Sequence, residues 1–150
     1  MGRKLVIITG PTAVGKTDFC IEAALKYGSP VISCDSRQIY KEMTIGTAVP
    51  DASQLAAVKH YFIHSIHVTE PYSSGQYEID ALALIDRLFS EGRETLVMCG
   101  GSGFYIDAVC NGLDCLPVPP PELREELTQR VKTEGVGALA EELRRLMAMI

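Results

Sequence analysis

At 150 residues, 47% hydrophobic and 22% charged, the chain has the make-up of an ordinary globular domain with room for a real core. No apolar run approaches the roughly 20 residues that a membrane span needs. The formal net charge of −5 sets the chain apart from proteins that hold nucleic acid chiefly by neutralising its phosphates.

In chain order, Lys4 to Thr9 is an apolar run of strand length. It enters Gly10-Pro-Thr-Ala-Val-Gly-Lys16-Thr17, which fits the phosphate-cradling pattern G-x-x-x-x-G-K-[ST]. Thr17 to Tyr27 then reads as a helix with Ile21, Ala24 and Leu25 on its inner face and Gly28 as its stop. Strand, glycine loop and helix together aim backbone N–H groups into one concavity at a positive helix end. Gly10, Pro11, Thr12, Ala13, Val14 and Gly15 would cradle phosphate, Lys16 would reach its outer oxygens, and the Thr17 hydroxyl would ligate Mg²⁺. The motif implies a ligand rich in phosphate, a nucleotide such as ATP being one form of it.

Pro30 to Cys34 is a second short strand that ends in Asp35-Ser36-Arg37-Gln38. Ligands of open α/β sheets lie beyond the carboxyl ends of the strands, so Asp35 falls at the edge that carries the phosphate loop. A carboxylate there serves as an outer Mg²⁺ ligand, a general base or a cap for the next turn, and local pattern does not choose among the three. Tyr40 to Pro50 is a loop, either facing the site or merely connecting. Asp51 to Val58 fits a short helix capped by Asp51 or Ser53, and Tyr61 to Val68 alternates like a strand.

Gln76 to Phe89 is the clearest helix, with Tyr77, Ala81, Leu84, Ile85 and Leu88 on one stripe. Thr95 to Cys99 is a third core strand, leading into a second glycine turn, Gly100-Gly-Ser102-Gly-Phe-Tyr105. Two strand–glycine–helix turns at one edge predict an α/β fold with a doubly wound parallel sheet over residues 1–115. Residues 116–150 change character. Pro117, Pro119, Pro120 and Pro121 form a linker, and two amphipathic helices come after it, joined at Gly135-Val-Gly137. Their stripes, Leu123, Leu127 and Val131 on one and Leu139, Leu143, Leu146 and Met147 on the other, can hardly be buried by the hairpin alone. The chain therefore reads as a fragment of a longer protein, with self-association through Leu139, Leu143 and Leu146 as one way to cover them.

Arg3-Lys4 leads straight into a strand with no small-residue cleavage site, so no signal peptide is expected. Five scattered cysteines without C-x-x-C spacing predict free thiols and a cytoplasmic protein. His60, His64 and His67 lack the spacing of a zinc site and read as polar residues at a strand edge.

With these pieces in place the chain resembles the N-terminal half of tRNA dimethylallyltransferases, the tRNA isopentenyltransferases. The resemblance rests on the phosphate loop, Asp35-Ser-Arg-Gln-Ile-Tyr40, Ile45-Gly-Thr-Ala48, Pro71-Tyr-Ser73 before the helix at Tyr77, and Gly100-Gly-Ser-Gly-Phe-Tyr105, in that order. It implies a P-loop NTPase-like core with a helical insertion, here truncated, at the C-terminal end. It also implies transfer of a dimethylallyl group from dimethylallyl diphosphate to the exocyclic amine of the adenine beside the anticodon.

By that resemblance Asp35 is the general base, and Lys16, Thr17 and Mg²⁺ stabilise the departing diphosphate. Ser36, Arg37 and Gln38 contact the target nucleotide of the anticodon stem-loop, Ser102 lines the channel between substrates, and Arg124 touches tRNA. Val14 and Val49 depart from common family residues, and Ser102 stands where Thr is usual. Family members are longer, and the absent part would carry basic residues, which reconciles the acidic charge with an RNA partner. The full-length protein is expected to be a cytoplasmic monomer, and the isolated chain weak or inactive. Three other readings share the phosphate loop: an adenylate isopentenyltransferase acting on free AMP, ADP or ATP, a P-loop small-molecule kinase, and a non-catalytic phosphate-binding module.

Overall fold

The computed structural model describes residues 2–11, 14–113 and 119–149. The chain divides into two units, Met1–Leu113 and Asp114–Ile150. In the first, β1 (Lys4–Ile8), α1 (Lys16–Tyr27), β2 (Val31–Ser33), α2 (Ala52–Ala57), β3 (His60–Tyr61), α3 (Ser74–Ser90), β4 (Thr95–Cys99) and α4 (Gly103–Asn111) succeed one another. The strands form one sheet in the order β1-β4-β2-β3, every pair parallel. This is the α/β architecture with a parallel sheet that the two glycine turns predict.

The register explains why the strands are apolar on both sides. Leu5 pairs with Leu96, and Ile7 and Ile32 both pair with Met98, so these residues share a face. That face packs under α3 and α4 against Tyr77, Ala81, Leu84, Ile85, Leu88 and Tyr105. Val31 and Val97 point the other way, into a smaller cluster with Ile21 and Ala24 of α1 and with Val58. A parallel sheet covered by helices on both faces needs near-continuous hydrophobic strands.

The helix faces obey the same logic, with one correction. All five residues of the stripe in α3 are buried, and the Ser73 hydroxyl caps the helix by accepting the Gln76 N–H, which starts α3 slightly before Gln76. In α1, Cys20, Ile21 and Ala24 face the sheet, but Leu25 is 61% exposed. At about 100° per residue, Leu25 lies roughly 90° round from the centre of that stripe. The short α2 carries the expected Asp51 cap, a reciprocal box in which Asp51 accepts the Gln54 N–H and Gln54 accepts the Asp51 N–H.

The strand expected over Tyr61–Val68 is not formed beyond Tyr61. Phe62 and His64 take positive φ, which turns the chain out of the sheet. The next residues hydrogen-bond instead to the loop after β2: the N–H groups of His64 and Ser65 donate to the carbonyls of Gln38 and Ile39.

In the second unit, α5 (Pro121–Glu134) and α6 (Val136–Met147) form the predicted helical hairpin, joined at Gly135. Pro121 is the first residue of α5 rather than linker, since a proline there gives up only an N–H that has no helical partner. Arg130 bonds Glu134 one turn on and reaches Glu142 of α6 at 2.7 Å. Most of the apolar stripe of α6 stays uncovered among the described residues: Leu139 is half-buried, but Leu143, Leu146 and Met147 are all more than half exposed. Cys115 and Pro117 lie outside the described residues. No helix among those described is long and apolar enough to cross a membrane.

Candidate active site

β1, β2 and β4 end at one edge, and the loops that leave them wall a cavity of about 470 Å³. The first wall is the phosphate loop. Gly15 takes φ 82°, ψ 17° as the cap of α1, a left-handed conformation that favours glycine. It turns the chain so that α1 begins at Lys16 with its N-terminal end lining the cavity. The Lys16 ammonium folds across the loop and donates to the Pro11 carbonyl. Gly10, Gly15, Lys16 and Thr17 line the cavity, while Thr12 and Ala13 lie outside the described residues.

The second wall comes after β2. Asp35 Oδ1 accepts the N–H groups of Arg37 (2.9 Å) and Gln38 (3.3 Å), so the carboxylate caps its own turn. Its other oxygen, Oδ2, accepts no hydrogen bond among the described residues. The capping role therefore exists and leaves one oxygen for chemistry. Ser36 and Arg37 stand on the same turn and also line the cavity.

The third wall comes after β4. A Cβ on Gly100 would lie 2.5 Å from the Cys34 carbonyl carbon, and one on Gly101 would lie 3.9 Å from the Gly10 carbonyl oxygen. Gly100 lets β4 run against the end of β2, and Gly101 sits beside the phosphate loop. Ser102 then locks the second wall to the third: its Oγ accepts the Ser36 N–H (2.8 Å) and donates to Ser36 Oγ (3.1 Å). Ser36 and Ser102 also line a second cavity of about 420 Å³, walled by Tyr40, Tyr72, Phe104 and Tyr105. Of the residues singled out in the sequence, Gly10, Gly15, Lys16, Thr17, Asp35, Ser36, Arg37, Gln38 and Ser102 converge on the first cavity. Arg124 stands on α5, in the second unit.

Three features escaped the sequence. Tyr77, expected only as core, also donates its hydroxyl to the Ser33 carbonyl (2.9 Å) and stacks on Tyr105 with ring centroids 4.0 Å apart. Gln54 of α2 donates to Asp18 of α1 at 2.6 Å, tying the loop after Tyr40 to the phosphate helix. The third corrects the expectation of free thiols: Cys20 of α1 and Cys99 of β4 form a disulfide, their Cα atoms 6.4 Å apart. The helix places Cys20 against the end of β4, a proximity that a separation of 79 residues conceals.

Cys34 is a free buried thiol, pushed up to about 12 by burial first and then by Asp35. The histidines do not converge. His60 Nδ1 meets the Val58 carbonyl, His64 the Thr44 hydroxyl and His67 the Glu42 carboxylate. Among the described residues no group of three or more His, Cys, Asp or Glu could hold a metal ion. One hydroxyl, Thr17, and one carboxylate, Asp35, nevertheless face a single cavity. The Thr17 hydroxyl suits Mg²⁺ when ligand phosphates supply the further oxygens, and Asp35 need not ligate it.

The chain is similar to known proteins over nearly all of its length. The chain is 46% identical over 142 residues to a tRNA dimethylallyltransferase of Parabacteroides distasonis, covering 95% of this chain and 47% of that protein. A tRNA dimethylallyltransferase of Porphyromonas gingivalis is 47% identical over the same shares of the two chains. Among solved structures, the tRNA isopentenylpyrophosphate transferase of Bacillus halodurans superposes with a TM-score of 0.71 at 33% identity, over 97% of this chain and 48% of that one. The chain thus spans about half the length of the relatives it matches. A family model described as IPP transferase matches residues 38–149. A match of that extent, joined to a phosphate loop and an Asp35 turn around one cavity, places the chain in the IPP transferase family.

Proposed function

We propose that this chain carries the catalytic core of a tRNA dimethylallyltransferase. In this reading a dimethylallyl group passes from dimethylallyl diphosphate to the exocyclic amine of the adenine adjacent to the anticodon, and diphosphate is released. The observation that carries it is the meeting of the phosphate loop, the free Asp35 oxygen and Ser102 around one cavity. Relatives named for this activity support the choice of substrates.

The chemistry derives from the walls. The diphosphate lies against Gly10 to Thr17, where backbone N–H groups and the Lys16 ammonium face the charge that develops as the allylic C–O bond breaks. Mg²⁺, held by Thr17 and phosphate oxygens, would add Lewis-acid neutralisation of that charge. The adenine amine forms the new C–N bond. Asp35 Oδ2 takes the proton the amine loses, and the electron pair of the broken bond leaves on the diphosphate oxygen. Ser36 and Arg37 contact the nucleotide, which must leave its stack to enter. Ser102 borders both cavities, and the aromatic second one offers ring faces for an unstacked base. Arg124 contributes to tRNA binding. The protein is cytoplasmic, as its tRNA substrate requires, and a monomer at full length.

The test is transfer of labelled dimethylallyl to unmodified tRNA by the full-length protein that carries this chain, with AMP as a control acceptor. Asp35→Asn keeps the turn's acceptor oxygen and removes the base. The rate of transfer to tRNA should fall about 10²–10⁴-fold, the usual worth of general-base catalysis. Transfer to AMP alone would make the protein an adenylate isopentenyltransferase. No transfer to either acceptor would leave only a phosphate-binding module. The 150 residues by themselves should transfer weakly or not at all.

A further inference from the structure

Gln38 sits where four segments meet. Its side-chain Nε2 donates to the carbonyls of Thr47 and Ala48, both at 3.0 Å, and its Oε1 accepts the Ser33 hydroxyl at 3.2 Å. Its backbone N–H is held by Asp35 Oδ1, and its carbonyl accepts the His64 N–H. The orientation of the carboxamide is fixed by chemistry, because the two loop carbonyls can only accept. Both amide hydrogens are therefore spent inside the chain.

We infer that Gln38 is a positioning residue: its carboxamide clasps the Thr47–Ala48 turn to the end of β2 and so holds one wall of the phosphate cavity in place. Gly46, Thr47, Ala48 and Pro50 line that cavity together with Lys16, Thr17 and Asp35. Pro50 is buried at the far end of the wall and anchors it there, but Ile45 is 97% exposed, so between Thr44 and Ala48 the hydrogen bonds hold it. Thr47 Oγ1 donates to the Met43 carbonyl at 2.6 Å and closes the turn from within. Ala48 takes φ 51°, a left-handed conformation that a β-carbon disfavours, and the clasp grips its carbonyl. Further along, the Gln54–Asp18 bond ties the segment to α1. A Gln38 engaged in this way has no donor to offer a base edge.

The inference rests on the reading of the cavity as a diphosphate site, and its test needs neither tRNA nor prenyl transfer. Backbone ¹⁵N order parameters are measured for the free chain, Gln38→Met and Gln38→Glu. Methionine matches the length without donors. Residues 44–49 should drop from near the rigid value of about 0.85 to below about 0.6 in Gln38→Met, with α3 and β4 unchanged. Gln38→Glu sets a carboxylate against two carbonyls, so it should be loose at pH 8.

Binding of inorganic diphosphate with Mg²⁺ should weaken about tenfold in Gln38→Met, although this probe contains no base. Unchanged order parameters in Gln38→Met overturn the inference. So does a Gln38→Glu loop that stays rigid at pH 8. Unchanged diphosphate affinity beside weakened binding of an adenine oligonucleotide would overturn it too and return Gln38 to the nucleotide.

Discussion

At the residue scale, two positions show how a single atom fixes the site. Gly100 stands where β4 passes the end of β2, and an added Cβ would meet the backbone of Cys34 rather than a yielding side chain. Gly100→Ala must push the two strand ends apart. It should cost about 1–3 kcal/mol, the range for overpacking, with the upper end expected against backbone. Denaturant unfolding of the variant beside the parent chain checks this, and a loss below about 0.5 kcal/mol would contradict the contact.

His60 is the second position. Burial, opposed more weakly by the bond to the Val58 carbonyl, holds its pKa below the ordinary histidine value. The folded chain thus favours the neutral ring, and the unfolded chain binds the extra proton first. Stability should fall as the pH drops from the ordinary histidine range through the lower folded value. A stability profile between pH 7 and 5 reads the effect, and His60→Gln should flatten it.

At the element scale, α1 does two things at once: it presents its N-terminal end to the cavity and packs Cys20 against β4. The disulfide to Cys99 therefore ties the phosphate helix to the strand that delivers Gly100 to Ser102. Alkylation of the denatured chain without reductant should modify Cys34 and Cys110, whereas Cys20 and Cys99 should react only after reduction, as peptide mass mapping would show. In the folded chain Cys34 should also resist, since burial keeps it a protonated thiol near neutral pH. Reduction should lower stability by up to about 4.5 kcal/mol, the chain-entropy limit for a loop of this length. Labelling of Cys20 and Cys99 before reduction would instead restore the expectation of free thiols.

The elements themselves were legible to different degrees. The stripe of α3 was complete in the sequence because a long helix repeats its signal over several turns. The segment after Tyr61 misled because alternation alone cannot report whether a partner strand is available. β3 stops after two residues, and Phe62 turns away.

At the scale of the whole molecule, the sheet order explains the site. β4, last in sequence, enters between β1 and β2, so the second glycine turn arrives between the phosphate loop and the Asp35 turn. Three loops far apart in the chain then share one cavity, and the Ser102–Ser36 bonds lock two of them together. The acidic balance of the chain gave no hint of an RNA partner, since net charge is a sum over all residues and carries no positions.

The sequence by itself determined the phosphate loop, the two glycine turns, the helix stripes and the parallel α/β class, together with the family they resemble. All of these are local patterns, whose physical cause lies within a few residues of backbone geometry or one helical turn. Only the tertiary structure decided that Asp35 caps its own turn yet keeps one oxygen free, that Gln38 faces inward, and that Cys20 meets Cys99. Each depends on which hydrogen-bond or sulfur partner lies within reach. Where that partner stands further along the chain, as the Thr47–Ala48 turn and Cys99 do, the packing of the sheet and the course of its loops set the distance.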